Sequence, residues 1–200
     1  FINIRNNTVD NVIGMSLKGT NMNIPGWNKA QNFMKQHSNI YIEWGVSGDG
    51  NLLNPDNLEY IHQQYGNSKD FITGDGGFDF SVNYNEQEIL ASQLIYAQIM
   101  YAISLQSYNG VFILKLFDTF HKSTIQLIYI LTMFYHKISI CKPHTSRTAN
   151  SEKYLVCSGF KFHDTTEYIP YFMEQMRQFN PIHPIYEIGT IIPPQLFINK

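Results

Sequence analysis

The sequence predicts an α/β domain built on a mostly parallel sheet with an antiparallel last strand. Two observations carry this. Short apolar runs of strand length alternate with helical patterns along the chain, and the last two such runs are joined by about a dozen irregular residues with no helix between them. Two hundred residues suffice for one domain with a proper core.

Taken in order, Val12 to Leu17 is a short apolar run that reads as a buried strand. Residues from Asn28 to His37 are helical in pattern, and Ile40 to Glu43 forms a short strand followed by a glycine-rich turn, Gly45 to Gly50. Asn54 then caps a helix with Pro55 at its first position, running to Tyr65. Lys69 to Asp75 is a strand that stops at Gly74-Asp75-Gly76-Gly77.

Glu86 to Gln106 is a long helix, apolar nearly all round and therefore deeply packed. Gly110 to Phe117 is a strand so apolar that burial on both faces is expected. Ser123 to Tyr135 is another helix. Ile138 to Cys141 and Tyr154 to Ser158 make a strand pair, and Tyr168 to Phe179 a last helix. Pro181, Pro184, Pro193 and Pro194 mark an extended tail laid along the surface. The expected organisation is one domain over residues 1–162, with the helix and tail of 163–200 packed upon it.

Apolar residues make up 44% of the chain and charged residues 15%, which excludes a disordered polypeptide. A net charge of −2 argues against a protein that coats nucleic acid, but the distribution is uneven. Between Val111 and Lys161 the cations Lys115, Lys122, Lys137, Lys142, Arg147, Lys153 and Lys161 face only Asp118 and Glu152. Such a local positive face suits an enzyme gripping a short stretch of phosphodiester, and equally a solvated surface. Cys141 and Cys157 have no metal-binding spacing and read as small apolar residues of neighbouring strands in a reducing compartment, with no metal implied. The run Ile89 to Leu105, interrupted by Ser92, Gln93 and Gln98, is too short to span a membrane.

In open parallel sheets, ligands bind beyond the carboxyl ends of the strands. Three ionisable residues fall at that edge: Asp75 after Phe71-Ile-Thr-Gly, Lys115 inside Val111-Phe-Ile-Leu-Lys-Leu-Phe-Asp118, and Glu152 before the last strand. An antiparallel strand begins where its parallel neighbours end, so Glu152 shares an edge with the other two. An Asp before two glycines is commonly a turn-former, and a Glu at a strand start commonly a solvated partner of a lysine. A lysine in an apolar strand is harder to dismiss, because its ammonium is costly to bury. Burial disfavours an ammonium and adjacent carboxylates favour it, so a lysine so placed can be balanced to take the proton of an alcohol.

The runs Gly14-Met-Ser-Leu-Lys-Gly19, Gly48-Asp-Gly-Asn-Leu-Leu-Asn-Pro55, Thr73-Gly-Asp-Gly-Gly-Phe78, Gly110 to Asp118 and Thr145 to Cys157 occur in an order that resembles the FtsJ-type RNA ribose 2′-O-methyltransferases. The eukaryotic and viral mRNA cap branch is nearest. The likeness extends from Val12 to Lys161 and implies a Rossmann-like methyltransferase sheet. It further implies S-adenosylmethionine as methyl donor and RNA, most naturally capped mRNA, as partner, with neither DNA specificity nor a membrane. Three members of the family's Lys-Asp-Lys-Glu tetrad fall on Asp75, Lys115 and Glu152. By that resemblance Lys115 is the base toward the ribose hydroxyl, Asp75 orients it and helps hold the donor, and Glu152 positions the hydroxyl. Donor contacts would come from Asn51, Leu52, Asp75 and Gly76, where several relatives have Asp at the position of Asn51. Arg147 and Asn150 are the candidate RNA contacts, with Lys122 and Lys142 weaker ones.

One departure matters. The first tetrad lysine and the glycine-rich donor loop have no counterpart, and Phe1 to Arg5 resembles the middle of the helix that follows that loop. The expectation is therefore a piece of a longer polypeptide, inactive by itself, whose strands at Val12 and Lys69 would face a gap. The competing reading is a non-catalytic RNA-binding or scaffolding subunit on a decayed methyltransferase fold. A nicotinamide dehydrogenase ranks last, for want of a Gly-x-Gly-x-x-Gly turn between strand and helix. The expected compartment is the cytosol, the nucleus or, for a viral protein, a cytoplasmic factory or virion.

Overall fold

A computed structural model describes residues 2–5, 9–19, 26–77, 86–147 and 149–179; the proline-rich tail expected at 181–194 lies outside them. The chain divides into two compact units, residues 1–52 and 53–200.

The first unit holds helix α1 (Ile2–Arg5), strand β1 (Val12–Met15), a 3₁₀ turn at Asn28–Ala30 leading into α2 (Gln31–Gln36), and β2 (Ile40–Glu43). β1 and β2 pair in parallel, from Val12 opposite Ile40 to Met15 opposite Glu43. β1 stops two residues short of the expected Leu17. From Ser16 onward the backbone turns to the glycine-rich loop: the Lys18 amide donates to the Asp49 carbonyl at 2.7 Å. Gly50 has φ +69°, and a Cβ there would stand 2.0 Å from the Ser16 carbonyl oxygen. Only glycine permits both that backbone and that approach.

The second unit begins with α3 (Pro55–Tyr65), capped as the sequence predicts: the Asn54 side chain accepts from the Asp56 amide at 3.0 Å. Then follow β3 (Lys69–Gly74), α4 (Gln87–Leu90), α5 (Ser92–Leu105), β4 (Gln106–Leu116), α6 (Lys122–Phe134), β5 (Tyr135–Cys141), β6 (Lys153–Phe160), a 3₁₀ turn at Thr166–Tyr168, and α7 (Ile169–Arg177). The four strands form one sheet in the order β3-β4-β6-β5. β3 runs parallel to β4, and β6 lies antiparallel to both β4 and β5. Hence three strands point one way and the last strand alone is reversed, as predicted.

Two expectations need correction. The helix expected over 86–106 is broken at Ala91, whose ψ of −8° separates α4 from α5. The strand carrying Lys115 is not buried on both faces. Phe112, Leu114 and Leu116 are fully or nearly fully covered, whereas Val111, Ile113 and Lys115 on the other face are half-buried. The alternation arises because α5 packs on β3 and β4 and contacts α3, α6 and α7, so these helices gather around it. Buried on nearly every side, α5 contributes Tyr96, Ile99, Met100 and Ile103 to the core. Among the described residues, no helix is long and apolar enough to cross a membrane.

The two cysteines do sit on neighbouring strands, but in unlike surroundings. Cys157 on β6 is fully covered, and burial pushes its thiol up to about 12 from an ordinary value of 9.0; Cys141 at the end of β5 is exposed. A maleimide reagent on the native protein should therefore modify Cys141 alone, with Cys157 reacting only in denaturant. Equal modification rates would contradict the packing of β6. The sign of the pH effect follows: a group whose folded value is raised contributes stability that is complete below its unfolded value. That stability is lost as pH climbs through the folded one. The Cys157 contribution should thus fade between about pH 9 and 12.

Candidate active site

The sheet edge at the carboxyl ends of β3 and β4 gathers the chemistry. Gly74, the last residue of β3, pairs with Leu114, so Asp75 emerges beside Lys115. The Lys115 ammonium lies 3.1 Å from the Asp75 carboxylate and donates to the Asp75 backbone carbonyl at 2.9 Å. Its side chain is only 15% exposed while that of Asp75 is 69% exposed, so the pair presents its carboxylate to solvent and keeps its amine against the sheet. The Phe117 ring, 6.0 Å from the ammonium, adds an aromatic wall.

β6 brings the third acid. Lys115 pairs with Tyr154, which places Glu152 two residues earlier, just before β6 begins. The Tyr154 hydroxyl donates to the Glu152 carboxylate at 3.1 Å. Burial, together with the negative charge of Asp75 and of Glu152, pushes this phenol up to about 12 from its usual 10.0. At neutral pH it is therefore protonated, donating to Glu152 and lying in the field of Asp75. Amine, phenol and two carboxylates thus converge on one edge. The arrangement can hold a hydroxyl and remove its proton.

Support comes from α5. The Gln98 side-chain carbonyl accepts from the Gly76 amide at 2.8 Å, while its NH₂ donates to the Leu94 carbonyl at 3.2 Å. The amide fills the space beside the loop so closely that a Cβ on Gly76 would stand 2.9 Å from it. Gln98→Met keeps length and volume but removes the acceptor. It should speed hydrogen exchange of the Gly76 amide and lower stability by about 1–3 kcal/mol. Unchanged protection of that amide would show that something else holds the loop.

The sequence profile of FtsJ-like methyltransferases matches residues 4–160. The chain belongs to the FtsJ-like methyltransferase family. Similar curated proteins include the cap-specific mRNA (nucleoside-2′-O-)-methyltransferase 1 of Danio rerio, 37% identical over 157 residues, which are 74% of this chain and 18% of the relative. Its Homo sapiens counterpart is 36% identical over 157 residues, with the same coverage of 74% and 18%. The Drosophila melanogaster protein is 41% identical over 118 residues, covering 57% of this chain and 15% of its own length. The chain thus spans less than a fifth of the relatives it matches. Among solved structures, a ribosomal RNA methyltransferase from Plasmodium falciparum is similar with a TM-score of 0.45 and 18% identity, over 80% of this chain and 92% of that one.

The other residues expected at this FtsJ-like site are placed as follows. Asn51 and Leu52 close the first unit, where the Asn51 amide donates to the Asp49 carboxylate at 2.9 Å. Gly76 lies next to Asp75, anchored by Gln98. Lys142 donates to the Asn150 carbonyl, the Asn150 side-chain oxygen and the Glu152 carbonyl at 2.9, 2.8 and 2.9 Å. All three of its donors are thereby spent on the loop that leads to Glu152. Asn150 shares that network through Ser146 at 3.3 Å. Arg147 on the same loop and Lys122 at the start of α6 are exposed. Sequence reasoning missed Tyr154 and Gln98. The pairing of Lys115 with Tyr154 could have been read from the antiparallel hairpin had its register been known. Gln98 carried a signal, a polar residue in an apolar helix, without an indication of what it faced.

Proposed function

We infer that this domain transfers a methyl group from S-adenosylmethionine to a 2′-hydroxyl of RNA ribose, in capped mRNA. The observation that carries the reading is the Lys115 amine, held by both the carboxylate and the carbonyl of Asp75 at the ligand-binding edge of the sheet. The names of the curated relatives support the substrate.

The residues fit the donor chemically. S-adenosylmethionine supplies an electrophilic methyl on a cationic sulfur, and the solvent-facing Asp75 carboxylate is an anion suited to a cationic ligand. With Lys115 as the free amine, the ribose 2′-oxygen would attack the methyl carbon, its proton passing to that amine as the methyl–sulfur bond breaks and the neutral thioether leaves as S-adenosylhomocysteine. Asp75 orients that amine and stabilises the ammonium that results. Glu152, fixed by Tyr154, accepts a hydrogen bond from the sugar and sets the line of attack. Lys142, by ordering the 150–152 backbone, holds Glu152 in place.

The test is incubation of the full-length protein with methyl-labelled S-adenosylmethionine and a capped oligoribonucleotide, followed by digestion to nucleosides. Label in a 2′-O-methylnucleoside is expected. Label on a base, or none despite donor binding by calorimetric titration, overturns the reading.

A further inference from the structure

We propose that Phe120 is a stacking platform for an unpaired base of the RNA, on a nucleotide neighbouring the one whose ribose is methylated. The proposal deepens the reading above and rests on it for the identity of the substrate. Phe120 is 87% exposed, the most exposed Phe or Tyr among the described residues. An isolated ring on a mobile tip would mean little. This one stands on a fixed backbone.

The segment between β4 and α6 is pinned at both ends. At its start, Phe117 is buried, and the Lys153 ammonium binds the Phe117 carbonyl and the Asp118 carboxylate, each at 3.3 Å. At its end, the Phe120 and His121 amides donate to the two oxygens of Glu88 at 3.0 and 2.8 Å. Glu88 comes from α4 and is only 5% exposed. A carboxylate is costly to bury unless hydrogen-bonded. Here it is committed to holding the backbone that carries the exposed ring. The geometry leaves the phenyl of Phe120 outside and its main chain anchored by hydrogen bonds.

The location selects the occupant. The segment leaves the carboxyl end of β4 just beyond Lys115, and Phe120 is the fifth residue after it, so their Cα atoms are at most ~18 Å apart. The flanking residues are polar: Thr119, His121 and Lys122, the last exposed at the start of α6. Ile125 and Tyr129 further along α6 are also exposed, but His121 and Lys122 come between them and Phe120 in the sequence, whereas a docked protein would be expected to meet an apolar centre depleted of charge. An exposed aromatic two residues before an exposed lysine instead suits single-stranded nucleic acid, with ring to base and ammonium to phosphate. The excess of cations over Val111–Lys161 agrees in sign.

The test uses the full-length protein and a capped oligoribonucleotide, with binding read by fluorescence anisotropy and turnover by methyl transfer. Phe120→Ala should weaken binding and raise KM for RNA ~10- to 100-fold, with affinity for S-adenosylmethionine unchanged. Phe120→Trp should restore both. With an oligonucleotide lacking the bases beside the target ribose, Phe120→Ala and the parent should bind alike. Equal affinity of the two for the intact oligonucleotide overturns the proposal. So does a loss of the same size on the abasic one. If self-association falls while RNA affinity holds, the ring belongs to a protein contact and the proposal fails. Phe120-dependent RNA binding without methyl transfer would uphold the platform while overturning the catalytic reading.

Discussion

Lys115→Ala is expected to lower the proposed methyl transfer about 10²–10⁴-fold, the usual worth of a positioned general base, and to leave the fold intact. The structural side of that expectation follows from exposure. The Asp75 carboxylate that would lose its partner is 69% exposed and rehydrates readily, so no buried charge is stranded. Lys115→Arg separates charge from proton transfer. A guanidinium preserves the positive charge but stays protonated, so it cannot take the hydroxyl proton. It should pair with Asp75 and still fail to restore the rate. The measurements are single-turnover methyl transfer alongside thermal unfolding by circular dichroism. A variant that folds and retains more than a tenth of the parent rate would remove Lys115 from the role of base.

Phe134→Ala should destabilise the protein by about 3–5 kcal/mol, as expected for loss of a large buried aromatic. Phe134 is fully buried at the end of α6. Its ring meets Phe160 at 6.1 Å, Phe162 at 5.1 Å and, edge-on, Tyr168 at 5.4 Å. These partners come from β6, the segment after it, and the 3₁₀ turn that opens α7. One ring therefore links α6, the sheet and the C-terminal helix. For a chain of this size each kcal/mol moves Tm by roughly 2–4 °C, so a fall on the order of 10 °C is expected. Exchange of α7 backbone amides should accelerate with it. A fall below about 1 kcal/mol would mean that the neighbouring rings close the cavity.

Much of the scaffold was legible because it rests on local signals. The Asn54-Pro55 helix start is chemistry within a few residues, and the side-chain cap is present where the sequence places it. The six strands were found for a similar reason: each is an apolar run between turn residues. Their ends were less secure. β4 begins at Gln106, four residues before the expected Gly110. The Gln106 side chain donates to the Lys69 carbonyl at 2.6 Å and accepts from the Tyr135 hydroxyl at 3.1 Å. Those partners are distant in sequence, so no periodicity announces them. β5 likewise starts at Tyr135 because that residue pairs with Phe160.

By itself, the sequence determined the alternation of strands and helices, the reversal of the last strand, and the three ionisable residues at one sheet edge. Spacing and hydrophobic period are short-range properties that survive in a linear string. The tertiary structure alone decided that β6 inserts between β4 and β5, which sets Tyr154 opposite Lys115 and within reach of Glu152. It also decided that Gln98 braces the Asp75 loop and that Glu88 fixes the backbone beneath Phe120. Hydrogen bonds across twenty or more residues depend on which elements become neighbours. That choice is made by burial of the whole core, not by any one segment.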